Sequence, residues 1–149
     1  MITWQCKAFS ELSNEDLYKI LQLRNEVFVV EQNCPYQDCD GKDLKAIHLS
    51  AWKEGKLVAY TRLLPKGISY PDGSSIGRVV TAPSYRKQNL GRLLMNKSIE
   101  NIYLLFGKTT IIISAQFYLK NFYESFSFVQ TGEQYDEDGI PHIKMLKKI

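Results

Sequence analysis

An apolar stripe at helical spacing follows Ser13. Ser13 and Asp16 have the pattern of a capping-box start, which predicts that a helix begins there. The stripe consists of Leu17, Ile20, Leu21, Arg24, Val27 and Phe28. Its period of three to four residues predicts a helix that turns this face toward the core. Beyond it, Cys34-Pro35 and the segment 38–41 are polar and predict a turn region.

Short apolar runs and turn residues alternate over the rest of the chain. They predict strands at 49–52, 57–64, 76–81 and 108–114, a loop at 65–75, and a final hairpin of 128–135 and 142–146. After Pro83 they predict a helix whose apolar face is Leu90, Leu94, Ile102 and Leu105, and later a short helix at 115–126. Alternation in the middle, with a hairpin at each end, favours a mixed α/β sheet covered by helices, in a single domain of residues 1–149.

The composition is that of an ordinary globular protein. Of 149 residues, 44% are hydrophobic and 23% are charged, enough for one buried core. No apolar run approaches the roughly 20 residues of a membrane-spanning helix, and the first residues lack the pattern of a secretory signal. We therefore expect a cytoplasmic protein without a membrane partner. Its net charge of +3 comes from scattered basic residues, which favours a small polyanionic ligand over nucleic acid.

Cys34, Cys39 and His48 raise the question of a metal site. The spacing of the two cysteines is looser than in most structural zinc sites, and no fourth ligand is evident, although Cys6 could approach in space. Three cysteines also make a poor disulfide framework. We expect free thiols and no metal.

The segment 79–92 carries the strongest chemical signal. A predicted strand ends at Pro83, and basic and flexible residues then lead into a helix. A helix start has backbone N–H groups without partners and a partial positive charge, which together favour phosphate. Arg86, Lys87 and Arg92 add positive charge. The pattern fits a phosphate-binding loop, with an ordinary basic loop as the alternative.

The sequence RKQNLG at 86–91 resembles the loop of the GNAT superfamily of N-acetyltransferases, which wraps the pyrophosphate of coenzyme A. Further blocks resemble the ElaA-type branch of that family: LRNEVFVVEQ at 23–32, AYTRLLP at 59–65, IGRVV at 76–80, SAQ at 114–116 and YDEDGIPH at 135–142. The blocks run in order from about residue 9 to 146. The resemblance implies a mixed, mostly antiparallel central sheet with a splayed pair of parallel strands and helices on both faces.

The resemblance also implies an activity and its residues. The chain would transfer an acetyl group from acetyl-CoA to a primary amine by direct attack on the thioester, with Tyr123 as the general acid. The cofactor would be bound by Val79, Val80, Thr81, Arg86, Lys87, Gln88, Asn89, Leu90, Gly91, Arg92 and Gln116. Tyr123 could equally be one aromatic residue among several on a core-facing helix.

A general base and the acceptor-binding residues are less clear. Glu31 and His142 are the first candidates for the base, because an amine must lose a proton before it attacks. Residues that could contact the acceptor are Glu31, His48, Arg78, Glu137 and His142. The acceptor itself stays open: a protein or peptide N-terminus, a polyamine, an amino acid and an antibiotic all fit.

Two residues depart from the family pattern. Asn89 stands where the family usually has its first loop glycine, and asparagine is among the next residues to tolerate a left-handed backbone. Ser127 replaces the glycine of the usual Gly-Phe pair, which should reduce stability and leave the chemistry intact. Asn89 also supports an alternative reading, a non-catalytic module that binds CoA or a partner on the same fold. The Tyr- and Phe-rich C-terminal third could supply a homodimer interface.

Overall fold

One seven-stranded sheet forms the centre of the computed structural model, which describes residues 1–149. The strands are β1 Thr3–Ala8, β2 Ile47–Lys53, β3 Lys56–Leu64, β4 Ser74–Thr81, β5 Ile111–Gln116, β6 Val129–Glu137 and β7 Ile140–Lys147. Their spatial order is β1-β2-β3-β4-β5-β7-β6, and every neighbouring pair is antiparallel except β4 and β5. The predicted mixed, mostly antiparallel sheet is confirmed.

Three α-helices lie on the sheet: α1 Asn14–Arg24, α2 Leu90–Phe106 and α3 Lys120–Glu124. The main core includes Leu94 and Ile102 of α2 together with Phe128, whereas Ile20 and Leu23 of α1 pack with Tyr60 and Val80 in a second, smaller cluster. The helices thus cover both faces, as expected. None of them combines the length and the apolar character needed to cross a membrane.

The first helix begins where its cap predicts and then changes character. The Ser13 hydroxyl accepts a hydrogen bond from the N–H of Asp16 at 3.0 Å, which satisfies one of the free donors of the helix start. After Arg24 the chain continues as a π-helix over Asn25–Glu31. Such wide turns are rare and are frequently found at functional sites. Glu31 is the last residue of this π-helical segment.

The parallel strands β4 and β5 are in contact only at their beginning. They pair at Ser74 with Ile111 and at Ser75 with Ile112, and not beyond. At Gly73 an added Cβ would lie 2.5 Å from the carbonyl oxygen of Thr110, so only glycine permits this approach. Further along, Arg78 has a φ of +50°, where the pairing of β4 with β3 shifts by a bulge. The strands part after their first contact, and the predicted splay is confirmed.

Three details of the secondary structure were predicted wrongly. The sequence pattern gave no strand before Ser13, yet β1 pairs along β2; β1 is an edge strand whose residues are partly exposed and do not alternate. Leu105 is 46% exposed and does not belong to the core face of α2. The expected helix at 115–126 is limited to α3, preceded by a 3₁₀ turn at Phe117–Leu119, because β5 continues to Gln116 alongside β7.

Two tight positions bear out expectations from residue type. Ser127 adopts a φ of +72° after α3, the left-handed conformation for which glycine is usually selected. The β2–β3 hairpin turns at Glu54 and Gly55, as predicted, and both have positive φ.

A group of three arginines and three aspartates, of which Arg24, Arg62, Asp38 and Asp43 are buried, fastens the segment 32–46 to the sheet. We call it the arginine–aspartate cluster; it consists of Arg24, Arg62, Arg78, Asp38, Asp40 and Asp43. Arg24 at the end of α1 is fully buried, and its guanidinium donates to Asp38 and Asp43, each at 2.7 Å. Burial disfavours its charge, but the hydrogen bond to Asp43 and the two nearby carboxylates outweigh burial, so the pKa of Arg24 is raised.

Replacing Asp43 should therefore destabilise the fold strongly. Asp43→Ala leaves Arg24 and Arg62 each short of a buried partner, and we expect the free energy of unfolding to fall by about 3–5 kcal/mol. The measurement is urea denaturation at neutral pH. The control is Glu15→Ala, which removes an exposed ion pair with Lys19 and should change stability by less than about 0.5 kcal/mol. Equal losses in the two variants would contradict a structural role for the cluster.

Candidate functional site

A cavity of about 720 Å³ opens where β4 and β5 part. We call it the main cavity. One wall is the β4 segment from Gly77 to Thr81, and another is formed by Ser114 and Gln116 of β5. The π-helical segment contributes Glu31, and the β6–β7 hairpin contributes Glu137 and His142. The side chains that sequence reasoning assigned to separate elements therefore surround one space.

A second pocket of about 280 Å³ lies at the N-terminus of α2. We call it the loop pocket. Its lining residues are Thr81, Arg86, Lys87, Asn89, Leu90, Gly91, Arg92 and Phe122. Thr81 and Arg86 also line the main cavity, so the two spaces adjoin. Gln88 belongs to the same loop but does not line either pocket.

The loop 86–91 contains two residues with a left-handed backbone conformation. Lys87 and Asn89 both have positive φ, +68° and +61°. Asn89 is the residue that precedes α2, and its side chain makes no capping hydrogen bond. The first N–H groups of α2 are thus not capped by a side chain, and they can bind an anion together with the three basic residues of the loop.

An ion pair links the loop to the π-helical segment. The two carboxylate oxygens of Glu31 accept from the guanidinium of Arg86 at 2.7 and 2.9 Å. This hydrogen bond and the charge of Arg86 lower the pKa of Glu31, so the carboxylate is ionised. Both residues line the main cavity.

Tyr123 lies on α3 with only 6% of its surface exposed, yet it lines the main cavity. Its ring packs edge-on against Phe122 and Phe128. Burial, and to a lesser extent the proximity of Tyr118, raises the pKa of Tyr123 above its ordinary value of 10. The hydroxyl is therefore protonated at neutral pH, as a proton donor must be.

His142 is held by two oxygen atoms at the hairpin. Its Nδ1 lies 2.7 Å from the carbonyl oxygen of Ile140, and its Nε2 lies 3.3 Å from Oε2 of Glu137. A carbonyl oxygen only accepts, so Nδ1 carries a hydrogen and Nε2 is the basic nitrogen. A proton received at Nε2 would be stabilised by the Glu137 carboxylate.

Comparison with known proteins identifies the family. The model of the acetyltransferase (GNAT) domain matches residues 9–149. The chain belongs to the GNAT family. It is 46% identical to protein ElaA of Escherichia coli over 151 aligned residues, which cover 100% of this chain and 98% of that protein.

Solved structures agree with this assignment. The crystal structure of E. coli ElaA has a TM-score of 0.92 at 45% identity and covers 99% of this chain and 100% of that chain. An acyl-CoA N-acyltransferase from Pseudomonas aeruginosa has a TM-score of 0.93 at 44% identity and covers 99% of both chains. An aminoglycoside 6′-N-acetyltransferase complexed with coenzyme A, at 19% identity and TM-score 0.71 over 96% of both chains, shares the fold.

With one exception, the remaining residues predicted to bind the cofactor or the acceptor also line the main cavity. Val79 and Val80 lie on the β4 wall, and Gln116 donates to Gln32 of the segment after the π-helix at 3.3 Å. Arg78 donates to Asp38 at 2.8 Å, which is the acidic partner expected for it, and it also lines the main cavity. Its contact with the acceptor stays a prediction.

His48 is the exception among the predicted acceptor residues. It is 1% exposed and does not line the main cavity. Its ring nitrogens contact the Tyr60 hydroxyl at 2.6 Å and the Asp43 carbonyl at 2.9 Å. Burial lowers the pKa of His48. Contact with an acceptor does not fit this position, and we do not carry His48 into the proposed site.

Several residues of the cavity wall were missed by sequence reasoning. Tyr36 and Tyr70 lie in loops, Lys42 begins a 3₁₀ turn, and Asp40 and Arg62 belong to the arginine–aspartate cluster. The polar turn at 38–41 was a visible signal of an anchored loop, but its partners lie far along the chain. Nothing local marks Tyr70 or Lys42.

The cysteines do not form a metal site together. All three thiols are free, and no group of three or more His, Cys, Asp or Glu side chains is placed to hold a metal ion. Cys34 is buried in the wall of the main cavity, and its Sγ contacts the carbonyl oxygen of Asp138 at 3.2 Å. It joins the segment 32–46 to the β6–β7 turn.

The cluster in the cavity wall makes stability sensitive to acid. Burial opposes ionisation of Asp40, but hydrogen bonds and charge from Arg62 prevail and lower its pKa from 3.8 to about 2. The pKa of Asp43 is lowered too, by Arg24 and Arg62 against burial. A carboxyl group with a depressed pKa stabilises the fold above its unfolded pKa and loses this effect as pH falls through the folded one.

We therefore expect the free energy of unfolding to decline between about pH 4 and about pH 2. The measurement is urea denaturation at a series of pH values. In Asp40→Asn the stability at pH 7 should be lower and its decline with acid shallower. An unchanged acid profile in this variant would contradict the assignment.

Proposed function

We propose that this GNAT domain transfers an acetyl group from acetyl-CoA to a primary amine by direct attack on the thioester. The observation that carries the proposal is the shared wall of the two pockets, Thr81 and Arg86. A cofactor with its pyrophosphate at the start of α2 could extend its thioester arm between the parted strands toward Tyr123.

The loop pocket suits a pyrophosphate. It combines the N-terminus of α2 with Arg86, Lys87 and Arg92, and all three side chains line it. The backbone of Val79, Val80 and Thr81 would serve the pantetheine amides and the thioester carbonyl, with Gln116 on the opposite strand. Acetyl-CoA supplies the activated acyl group.

The reaction needs two proton transfers. The amine nitrogen forms a bond to the thioester carbon, the carbon–sulfur bond breaks, and the sulfur leaves as a thiolate. Tyr123 gives its proton to that thiolate, and the proton that the nitrogen loses restores the Tyr123 hydroxyl, so that the products are an amide and free CoA thiol. A tyrosine that is protonated at neutral pH can donate to a thiolate whose conjugate acid has a pKa near 8.5.

The amine must also arrive without its proton. An alkyl amine with a pKa near 10.4 is mostly charged at pH 7, a deficit of roughly 4.6 kcal/mol. Of the two candidate bases, Glu31 is committed to Arg86, whereas Nε2 of His142 is the basic nitrogen and has Glu137 beside it. We assign removal of the amine proton to His142. Glu31 would instead act on the loop 86–91, through its ion pair with Arg86.

The decisive experiment measures cofactor binding and turnover separately. Isothermal calorimetry with acetyl-CoA should give saturable binding, and a panel of amines should release CoA thiol with formation of N-acetyl products detected by mass. Absence of binding at millimolar acetyl-CoA would overturn the proposal. Binding without turnover on any amine would favour the non-catalytic module instead.

Tyr123→Phe should separate chemistry from binding. Loss of the hydroxyl removes the proton donor, and we expect turnover to fall roughly 10²- to 10⁴-fold with little change in acetyl-CoA affinity. The control is Tyr103→Phe on α2, outside both pockets, which should behave as the parent protein. Turnover of Tyr123→Phe equal to that of the parent would remove Tyr123 from the mechanism.

Glu31→Gln should strengthen cofactor binding. The substitution releases Arg86 and removes a negative charge that would repel phosphate, so the dissociation constant of acetyl-CoA should fall roughly two- to five-fold. Glu26→Gln changes the charge of the same π-helical segment without breaking this ion pair and is the matched control. Weaker binding in Glu31→Gln would show that the pair helps to shape the loop.

A further inference from the structure

Three segments of the chain that line the main cavity are linked to one another by side-chain contacts. The Lys42 ammonium in the segment 32–46 donates to the Ser69 hydroxyl at 2.9 Å, which joins that segment to the loop 65–73. The ring of Tyr70 in this loop lies under the Lys144 ammonium of β7 at 5.4 Å. The Cys34–Asp138 contact links the segment 32–46 to the β6–β7 turn. The main cavity, at about 720 Å³, is of a size for small molecules.

Lys42 is the cation that this wall does not neutralise. In the arginine–aspartate cluster three arginines balance three aspartates, and each aspartate accepts from two arginines. Lys42 is half-buried, lines the main cavity, and has no carboxylate within 4.0 Å of its Nζ. Its hydrogen-bonding partner is a neutral hydroxyl. A half-buried ammonium with donors to spare favours an anion.

Arg62 is a second, independent indication of a hydrogen-bond acceptor in this region. Its side chain is 4% exposed and lines the same cavity, and its Nε has no hydrogen-bonding partner. Buried donors of charged groups are usually paired, so the fold leaves a polar donor of this wall unsatisfied.

The β6–β7 hairpin contributes groups of the other sign to the same cavity. Glu137 and Asp138 lie on the β6–β7 hairpin, and Glu137 flanks the His142 imidazole at 3.3 Å. An ammonium is attracted to this side and can pass its proton to His142 there. The main cavity thus presents a negative and a positive group to one small ligand.

We propose that the acceptor is a small amino acid-type molecule whose amine lies at His142 and Glu137 and whose carboxylate is bound by Lys42. The inference rests on the proposed function, because it assigns the acceptor of that reaction. It excludes simple alkyl amines and polyamines as preferred acceptors, since neither carries an anion for Lys42.

The test compares acceptors that differ only in the group distant from the amine. For chains of three to six carbons, each ω-amino acid is assayed beside its terminal amide and the diamine of the same length, with CoA thiol release as the readout. We expect kcat/KM for at least one amino acid to exceed that of its amide by ten-fold or more, and that of its diamine by a larger factor.

Variants of Lys42 test whether this residue causes the preference for the acid over its amide and diamine. In Lys42→Met the preference for acid over amide should fall to near one, and in Lys42→Glu it should reverse in favour of the diamine. Lys66→Met, an exposed lysine of the loop 65–73 that does not line the cavity, is the control and should keep the parent preference. Melting temperatures establish that the variants fold.

The outcomes separate the two proposals. Equal use of acid, amide and diamine, or a preference that survives Lys42→Met, overturns the inference while amine acetylation stands. Turnover of none of these compounds by protein that binds acetyl-CoA also overturns it. If calorimetry shows no acetyl-CoA binding, the proposed function itself fails.

Discussion

Arg24 is a charged side chain with no exposed surface, at the point where α1 becomes a π-helix. Burying such a charge is unfavourable unless carboxylates surround it, and here the carboxylates come from the segment 32–46. The ion pairs therefore do more than balance the charge. They fix a long, irregular segment against β3 and β4, and they turn Arg62, Arg78 and Asp40 into one wall of the main cavity. The part of the cavity wall that these residues form depends on this anchoring.

The two ends of the cavity are built by different means. At the loop pocket the chemistry belongs to the backbone: the start of α2, the strand β4 and two residues with positive φ. Side chains matter there mainly as positive charge. At the other end the chemistry belongs to side chains on loops and on a hairpin. Such a division lets a family keep one cofactor while its acceptors differ, because loops change without disturbing the sheet.

Local sequence patterns predicted the features that depend on neighbouring residues alone. Ser13 caps its own helix, Glu54-Gly55 makes its own turn, and Asn89 takes the backbone conformation its position demands. The basic loop could be named as a phosphate site from its own residues, whereas Tyr123 was named through a family resemblance. Arg24 was visible only as a member of an apolar stripe, since its partners lie 14 and 19 residues away. No local sequence pattern indicates Lys42, because its place in the wall of the main cavity follows from long-range packing. His48 shows the converse, a residue type suited to catalysis that the fold uses in its interior.

The π-helical segment has a consequence for how this chain tolerates length changes. A π-helix can be regarded as an α-helix that has absorbed additional chain, and each residue of an α-helix turns the next side chain by about 100°. Deleting one residue within Asn25–Glu31 would let the segment relax toward α-helical geometry and would rotate Glu31 away from Arg86. The loop pocket would lose its acidic neighbour although no residue of the pocket had changed. In this part of the chain, the number of residues is as much a determinant of the site as their identity.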